Sequence, residues 1–349
     1  MKAAGAAGQA ATPAGTAPVS ARPTMRAIVQ AGYGSADVLH LAEIGRPAAA
    51  GGEVLLRVHA AGLDRGTWHL MAGQPYVVRL VSGLRAPRNP VPGLDVAGTV
   101  VAAGADVTGF TVGEEVFGIS QGSFAEYARA RQDKLARKPA SLTFGQAAVV
   151  AVSGLTALQG LRDAGCLQPG QHVLITGASG GVGTFAVQIA KALGAQVTGV
   201  CSTAKTDLVT SIGADHVLDY TRDDFADGSQ RYDLILDIAG NSSLARLRRA
   251  LTPAGTLVLV GGEDGGRWTG MSRQLRALAR SPFTRQRLTM LISRQRGADL
   301  ETLVRLIEAG QLTPVIGKTY PLRQAPDAMR DLQAGHARGK LVLTVTGAG

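Results

Sequence analysis

Cysteine is scarce in this chain, and that scarcity excludes two kinds of stabilising framework. The 349 residues include two cysteines, Cys166 and Cys201. Two thiols cannot form a disulfide scaffold or the four-cysteine cage of a structural zinc site. The first 24 residues lack the leucine-rich core of a secretory signal and are expected to be a disordered tail. Reduced cysteines without an export signal predict a cytoplasmic protein.

Aromatic residues make up only 4% of the chain, too few for a platform that stacks single-stranded nucleic acid. Acidic residues are outnumbered, and the formal net charge is +10. A basic surface favours anionic partners, namely nucleic acid, anionic lipid or a phosphate-bearing cofactor. Between Arg267 and Arg296, eight arginines occur without an acid. We interpret this segment as a solvated basic helix pair, with contact to nucleic acid or acidic lipid as the alternative.

No apolar run is long enough to cross a bilayer, which needs about 20 predominantly apolar residues. The longest uncharged stretch, Pro139 to Leu161, is interrupted by serine, threonine, glutamine and glycine. We expect a buried helix and turn there, helical over Ser141–Ala151 with Ser141 or Thr143 as its N-cap. The sequence therefore predicts no membrane span.

Short apolar segments separated by Gly, Pro and Asp turns predict a β-rich region from about Met25 onward. They are residues 26–30, 53–60, 94–103 and 113–118. After Pro169-Gly170, apolar strands alternate with amphipathic helices, which indicates a doubly wound parallel sheet. Its predicted elements are 172–176, 182–193, 196–201, 206–212, 216–220, 234–237 and 256–260, and short strands return at 318–321 and 341–345. The fold class is therefore α/β, with an α/β domain over 150–296 inserted between β-rich segments at 25–149 and 297–349.

A glycine-rich turn, Gly-Ala-Ser-Gly-Gly-Val-Gly, spans residues 177–183 between the first α/β strand and its helix. Gly180 lets the backbone approach a pyrophosphate without a Cβ in the way, and Gly183 lets the helix pack close to the strand. The N–H groups of Gly181 and Val182 open the helix, where an anion is stabilised. This strand–turn–helix context favours a dinucleotide site over a tight turn without a ligand.

The end of the second α/β strand indicates which dinucleotide binds. NAD sites usually place Asp or Glu about 20 residues after the glycine turn, where it holds the ribose 2′-hydroxyl. Here residues 201–205 read Cys-Ser-Thr-Ala-Lys, and the next carboxylate is Asp207. The hydroxyls of Ser202 and Thr203 and the charge of Lys205 suit a 2′-phosphate, so NADPH is the predicted cofactor. The competing interpretation makes Ser202 or Thr203 a helix cap.

Four motifs resemble those of the medium-chain dehydrogenase/reductase superfamily. They are Asn89–Gly98, Gly177–Gly183 with Gln188–Lys191, Gly213–Tyr220 and Gly335–Lys340. The similarity runs from about Met25 to Val345, and its closest branch looks like the zinc-free quinone oxidoreductase-like enzymes, often labelled NAD(P)-dependent alcohol dehydrogenases. It implies a GroES-like catalytic domain split around a Rossmann domain, with the active site in the cleft between them. It also implies a homodimer formed through an edge of the Rossmann sheet.

The resemblance assigns further residues to the cofactor. It implies that Lys205 and Tyr220 hold the 2′-phosphate and that Thr156 lies near the nicotinamide. Gly240, Gly261 and Gly262 would follow later strands, at the edge of the sheet where a cofactor lies in this fold. Lys340 would be an additional cofactor contact.

Zinc-dependent members of that family carry ligands that this chain lacks. The loop at Gly62–His69 has no cysteine, and Leu94-Asp95 stands where those enzymes have His-Glu. Zinc needs three or four ligands placed together, so we predict no metal. The loop facing the cleft instead supplies four possible hydrogen-bond or proton donors, which are Asp64, Thr67, His69 and Tyr76. We expect each to be structural or pocket-lining, and the catalytic residue stays unassigned.

Three functions are compatible with these residues. Without zinc the acceptor must polarise itself, as quinones and conjugated enones do, so the first is an NADPH-dependent reductase of quinones or activated alkenes. The second is a metal-free NADPH-dependent alcohol dehydrogenase or carbonyl reductase. The third is a nucleotide-bound protein whose basic 267–296 segment contacts nucleic acid or acidic lipid.

Overall fold

The computed structural model describes residues 23–261, 270–335 and 337–345; residues 1–22 of the predicted tail and the predicted cofactor residue Gly262 lie outside them. The strands are β1 (Thr24–Val29), β2 (His40–Gly45), β3 (Glu53–Leu63), β4 (Asp95–Ala103), β5 (Glu115–Ile119), β6 (Tyr127–Arg131), β7 (Leu135–Arg137), β8 (His172–Thr176), β9 (Gln196–Cys201), β10 (His216–Asp219), β11 (Tyr232–Asp237), β12 (Leu251–Leu259), β13 (Arg287–Met290), β14 (Ile316–Pro321) and β15 (Lys340–Thr344). The α-helices are α1 (Arg65–Ala72), α2 (Arg79–Ser82), α3 (Phe144–Ala147), α4 (Ala151–Gln159), α5 (Gly181–Ala192), α6 (Thr206–Ser211), α7 (Leu244–Ala250), α8 (Ser272–Arg280), α9 (Gly297–Glu308) and α10 (Ala325–Ala334).

A six-stranded parallel sheet forms the α/β part of the chain. Its strand order is β10-β9-β8-β11-β12-β13, so the chain runs outward from β8 to β10 and then crosses to β11 on the other side. The central strands β8 and β11 are almost entirely buried, as strands covered on both faces must be. The strands predicted at 172–176 and 196–201 are confirmed residue for residue. This is the predicted doubly wound Rossmann sheet.

A seven-stranded sheet forms the second part and takes strands from both ends of the chain. Its order is β14-β15-β3-β4-β5-β7, and β6 also pairs with β3. β15 lies antiparallel to β3, with Leu343 opposite Ala61. The C-terminal strands therefore complete a sheet that begins before the Rossmann strands. The predicted insertion of a Rossmann sheet in a β-rich, GroES-like domain is confirmed.

The prediction of one continuous helix over Ser141–Ala151 is wrong. Its N-cap is Thr143, but the helix ends after one turn, and α4 follows a break at 148–150. The break lets the Val152 N–H donate to the buried Asp95 carboxylate (2.7 Å). Contact with the neighbouring sheet thus interrupts a segment whose local pattern indicates a single helix.

The longest uncharged stretch of the sequence folds into the interior. Its helix α4 packs against α5 and α9, and most of its side chains are buried. The expectation of a buried helix and turn is confirmed. In the part of the chain that the structure describes, no helix is long and apolar enough to span a bilayer.

The basic segment at 267–296 is not the predicted pair of helices. Its described residues form α8 and then β13, which pairs in parallel with β12 at the edge of the Rossmann sheet. Leu288 of β13 is buried while its neighbour Arg287 is exposed, so packing on β12 outweighs the local charge pattern. Arg273 of α8 is buried and forms an ion pair with Asp237 (2.5 Å). The described part of this basic segment is therefore an integral part of the Rossmann domain.

Candidate active site

The glycine turn between β8 and α5 is tightly packed on one side and open on the other. Gly180 is the N-cap of α5 and has extended backbone angles. A Cβ on Gly183 would lie 2.1 Å from the carbonyl oxygen of Gly177, so only hydrogen fits there. A Cβ on Gly180 would meet only that oxygen, at 3.4 Å, among the described residues within 4 Å. The open side is a cradle that the Cβ would fill, and it suits a pyrophosphate.

The cradle lies where the strand order of the Rossmann sheet reverses. β9 and β11 flank β8, and the chain leaves β8 toward β9 before it crosses to β11. The crevice outside the carboxyl ends of such strands is the usual ligand site of an open α/β sheet. The first N–H groups of α5, including those of Gly181 and Val182, have no acceptor within the helix. These donors and the helix dipole would stabilise an anionic pyrophosphate at this place.

The glycines after the next two strands serve the packing of the same edge. Gly240, after β11, has a left-handed φ of 75°. A Cβ on Gly261, after β12, would lie 2.1 Å from the carbonyl oxygen of Ile238. The close approach of the two strand ends therefore requires glycine at 261 whether or not a cofactor is bound.

Thr156, which the resemblance placed near the nicotinamide, lies on the second turn of α4. Its hydroxyl donates to the Val152 carbonyl one turn earlier (2.7 Å). The sequence analysis missed Ser153, which borders the start of α5: its Oγ lies 3.4 Å from the position of a Cβ on Gly181. The first turns of α4 and α5 are therefore adjacent walls of one site.

The predicted 2′-phosphate corner forms where β9 and β10 end side by side. The Tyr220 N–H donates to the Cys201 carbonyl (3.1 Å), which joins the two strand ends, and the Tyr220 side chain is exposed. Ser202 precedes the short helical turn that follows β9, but its side chain makes no capping hydrogen bond. Ser202 therefore occupies the N-cap position of this turn, but its hydroxyl does not cap it. Thr203 donates its hydroxyl proton to Asp219.

Asp219 is a carboxylate at this corner that the sequence analysis missed. It ends β10, directly beside Cys201 at the end of β9. It also accepts hydrogen bonds from the N–H (3.0 Å) and the hydroxyl (2.8 Å) of Thr221. These bonds, that of Thr203 first, lower the pKa of Asp219. The sequence pattern for a ribose-binding acid considers only the residues that follow β9. Parallel pairing also brings the end of β10 to the same edge of the sheet.

The cations at the corner are engaged by the chain that leads into β15. The Lys205 ammonium donates to the carbonyls of Gly335 (3.1 Å) and Ala337 (3.0 Å), and partial burial lowers the pKa of Lys205. Arg338, a second cation that the sequence analysis missed, forms an ion pair with Asp207 (2.6 Å). It is 131 residues from Asp207 in the sequence, so only the fold brings it to this corner.

The same chain segment ties the two domains together at the glycine turn. The Gly339 N–H donates to the Ser179 carbonyl (2.8 Å), and Gly339 forms an isolated parallel bridge with Gly180. Gly339 directly precedes β15 of the GroES-like sheet. The dinucleotide cradle therefore opens at the junction between the Rossmann and GroES-like domains.

Lys340 binds an acid and does not present its ammonium as a free cofactor contact. Its Nζ lies 3.0 Å from Oδ2 of Asp95, and both side chains are almost completely buried. The stem of Lys340 rests on the first turn of α5, where its Cδ would lie 2.8 Å from a Cβ on Gly181. The other oxygen of Asp95 accepts the Val152 N–H. The ion pair thus joins β4 and β15 to the amino ends of α4 and α5.

The ionisation of Asp95 is shifted toward neutral pH. Burial, the largest cause, raises the pKa of Asp95 to about 6, although the Lys340 ammonium lowers it. The charge of Asp64, the nearby acid of the cleft loop, adds to the rise. A carboxyl at the domain junction therefore gains or loses its proton within the range in which many enzymes work.

Three of the four cleft-loop candidates make local hydrogen bonds. Asp64 is the N-cap of α1 and accepts the N–H (2.8 Å) and the hydroxyl (3.0 Å) of Thr67, and both residues are buried. The structure therefore gives these two a capping role. His69 donates from Nδ1 to the Gln74 carbonyl (2.7 Å). Tyr76 is half-buried with its ring stacked beside an arginine guanidinium.

Metal ligands are not clustered at this junction. Among residues 23–261, 270–335 and 337–345, no group of three or more His, Cys, Asp or Glu side chains could hold a metal ion. The two acids closest to the cleft are both engaged, Asp95 with Lys340 and Asp64 with Thr67. The described side chains offer hydrogen bonds and one ion pair at the cleft.

Comparison with known proteins decides the family. A model of the alcohol dehydrogenase GroES-like domain matches residues 50–140, and a model of the zinc-binding dehydrogenases matches residues 212–343. A mitochondrial NAD(P)H oxidoreductase of Bos taurus is 34% identical over 334 residues, which are 84% of this chain and 82% of the relative. The chain belongs to the medium-chain dehydrogenase/reductase superfamily. The family predicted from the motifs is confirmed.

Other members of the superfamily match over nearly the full length. A chloroplastic quinone-oxidoreductase homolog of Spinacia oleracea is 31% identical and covers 91% of this chain and 98% of its own. A 2-methylene-furan-3-one reductase of Solanum lycopersicum is 30% identical, covering 97% and 84%. This medium-chain dehydrogenase/reductase is accordingly an oxidoreductase that uses a nicotinamide cofactor.

Solved structures of the superfamily share the two-domain fold. The quinone oxidoreductase from Coxiella burnetii superposes with a TM-score of 0.81 at 29% identity, covering 93% of this chain and all of that one. A mycobacterial protein solved in complex with NADPH superposes with a TM-score of 0.77 at 27% identity, covering 92% and 100%. The fold predicted for the whole ordered chain is confirmed.

Proposed function

We propose that this enzyme is a metal-independent, NADPH-dependent reductase of quinones or activated alkenes. The observation that carries the proposal is the open cradle at Gly180, which faces a cleft whose described residues offer hydrogen bonds and no metal-ligand set. An acceptor at such a site has to be electrophilic without a Lewis acid. Quinones and enones meet that need because hydride addition places negative charge on their own carbonyl oxygen.

The residues of this chain bind, orient and shield the reactants. When bound, the nicotinamide supplies the hydride. The N–H groups of Gly181 and Val182 would hold the pyrophosphate, and the Asp95–Lys340 pair fixes the amino ends of α4 and α5. Tyr76, half-buried on the cleft loop, is the candidate donor to the carbonyl oxygen on which charge develops.

A panel of acceptors tests the substrate class. The purified protein is mixed with NADPH and a quinone, an enone or an aldehyde, and loss of the absorbance of the reduced nicotinamide is followed. We expect turnover with quinones or enones and little with aldehydes. Turnover confined to aldehydes and ketones would favour a metal-free carbonyl reductase instead.

We propose that NADPH is preferred because two cations lie at the 2′-phosphate corner while both of its acids are engaged. A charge-assisted contact to phosphate contributes about 1.5–3 kcal/mol. Lys205→Ala should therefore raise the KM for NADPH at least several-fold and leave the KM for NADH nearly unchanged, and Arg338→Ala should act in the same direction. Lys191→Ala, which removes a surface lysine paired with Asp215 on the same domain, is the matched control. Equal losses for both cofactors would show that Lys205 only supports the backbone at Gly335 and Ala337.

Activity is expected to survive removal of metal. Dialysis against a chelator should leave turnover and melting temperature unchanged, because the described residues fold around hydrogen bonds and ion pairs at the cleft. Elemental analysis is the direct check. One zinc per chain, with loss of activity on chelation, would mean that ligands come from outside the described residues.

We also propose a homodimer formed along β13. This strand is the outer strand of the Rossmann sheet, and an unpaired edge is a template for another strand. Phe283 and Ile292 flank it and are 87% and 68% exposed. A two-fold contact between copies would cover both side chains. Light scattering should give the mass of two chains, and Ile292→Lys should reduce it to one. A wild-type mass of one chain would contradict the proposal.

A further inference from the structure

Four large apolar side chains project into solvent from the short helical segment that follows α1. Val77, Leu80, Val81 and Leu84 are 41%, 66%, 73% and 68% exposed. We call these four residues with Arg85 and Arg88 the 77–88 surface. Scattered apolar side chains are common on protein surfaces, but a contiguous group of this size usually marks an interaction site.

The 77–88 surface is rigidly built. The Tyr33 hydroxyl lies 2.8 Å from the Ser82 Oγ and donates to the Gly83 carbonyl (2.5 Å). The Arg88 N–H donates to the Ser82 carbonyl (2.7 Å), which closes the loop after α2. A Cβ on Gly83 would lie 2.1 Å from the Ala86 carbonyl oxygen, so the turn is also tightly packed. The leucines therefore face outward from an ordered support.

The charges around these apolar side chains have one sign. From Arg65 to Leu94 the sequence contains four arginines and no acid. One of the four, Arg79, is held inside by the Gly73 carbonyl (2.9 Å) and by the rings of Tyr33 and Tyr76. Arg85 and Arg88 are exposed beside the leucines. Apolar side chains rimmed by arginine are the pattern that inserts into the interface of an anionic bilayer.

The 77–88 surface also lies at the mouth of the cleft. It follows α1, whose N-cap Asp64 lies close enough to Asp95 of the Asp95–Lys340 pair to raise the pKa of Asp95. Just before it, Pro75 lies against the Rossmann side of the cleft, where a Cβ on Gly270 would be 2.8 Å from the proline ring. We propose that the 77–88 surface docks the enzyme on an anionic lipid bilayer, with the cleft opening next to the membrane.

A bilayer accounts for this surface better than a second copy of the chain. The edge strand β13, with its own exposed apolar side chains, lies on the other domain. The cationic rim would repel an identical rim across a two-fold axis, whereas an anionic headgroup layer complements it. An acceptor dissolved in the bilayer would then reach the cleft without crossing water.

Vesicle sedimentation tests the proposal without any substrate. The full-length protein is mixed with vesicles of phosphatidylcholine alone or of equal parts phosphatidylcholine and phosphatidylglycerol. We expect binding only to the anionic vesicles, weakened by added salt. Leu80→Asp with Leu84→Asp should reduce the partition coefficient at least tenfold, and Arg85→Gln or Arg88→Gln should each reduce it about fivefold. Val112→Asp, a change at a 66% exposed valine beyond the far end of β4, is the matched control and should have no effect.

Four outcomes would overturn the proposal. Equal binding to both vesicle types, or binding that the leucine variants leave intact, would place the contact elsewhere. A dimer that becomes monomeric in Leu80→Asp would assign the surface to a second copy. Binding that is lost on deletion of residues 1–22 would assign the contact to the tail. Turnover of a water-soluble quinone should be unchanged in the leucine variants, so failure of the membrane proposal leaves the proposed function testable by itself.

Discussion

Gly180→Ala is expected to abolish tight dinucleotide binding in a folded protein, whereas Gly183→Ala is expected to destabilise the fold itself. The two changes are chemically identical and three residues apart. At Gly183 the new methyl would lie 2.1 Å from a backbone oxygen that cannot move aside, which should cost about 3 kcal/mol or more. At Gly180, with an ordinary backbone conformation, it meets only one atom at 3.4 Å and instead occupies the space where a pyrophosphate would lie.

Melting temperature and NADPH titration separate the two effects. Gly180→Ala should melt within about 3 °C of the parent and bind NADPH at least tenfold more weakly, whereas Gly183→Ala should melt several degrees lower. Normal NADPH affinity in a stable Gly180→Ala protein would move the pyrophosphate away from the glycine turn. A stable Gly183→Ala protein would contradict the packing at Gly177.

Lys340→Met is expected to destabilise the protein by about 3–5 kcal/mol at neutral pH, because it leaves the buried Asp95 carboxylate without its partner. The double variant with Asp95→Asn should recover most of that loss, since it removes the charge as well. Urea unfolding of both single variants and the double variant completes the cycle. A double variant as unstable as Lys340→Met would mean that the lysine contributes packing and not charge pairing.

The same pair predicts a direction for the pH dependence. Since the pKa of Asp95 is raised in the folded state to about 6, the stability contributed by its protonated form is present below about pH 4 and declines as the pH rises through about 6. Without the ammonium the pKa of Asp95 rises further, so the penalty of Lys340→Met should shrink at pH 5. In the Asp95→Asn background this dependence should disappear. A penalty that is constant with pH would contradict the buried carboxylate account.

The elements with strong local signals could be predicted closely. Strands His172–Thr176 and Gln196–Cys201 are continuous apolar runs, and α5 follows a glycine turn with helical spacing, so their local patterns and their tertiary environment agree. β13 could not be predicted, because it lies in an arginine-rich segment and forms a strand by pairing with β12. The break between α3 and α4 likewise depends on Asp95, which belongs to a distant strand.

The candidate site shows the same division. The glycine cradle is local and was predicted, but the partners of its side chains come from far along the chain. Asp219 reaches the 2′-phosphate corner through strand pairing, and Arg338 and the carbonyls that hold Lys205 reach it through the return of the chain to β15. Lys340 could be placed near the cofactor from its motif, but its pairing with Asp95 requires the register of two strands.

Transfer of deuterium from the nicotinamide tests the central claim most directly. NADPH deuterated at C4 of the nicotinamide is incubated with the enzyme, a chelator and a conjugated enone, and the product is analysed by mass spectrometry. We expect one deuterium at the carbon β to the carbonyl, with transfer undiminished by the chelator and lost in Gly180→Ala. A reduced product without deuterium, or transfer that requires added zinc, would contradict it.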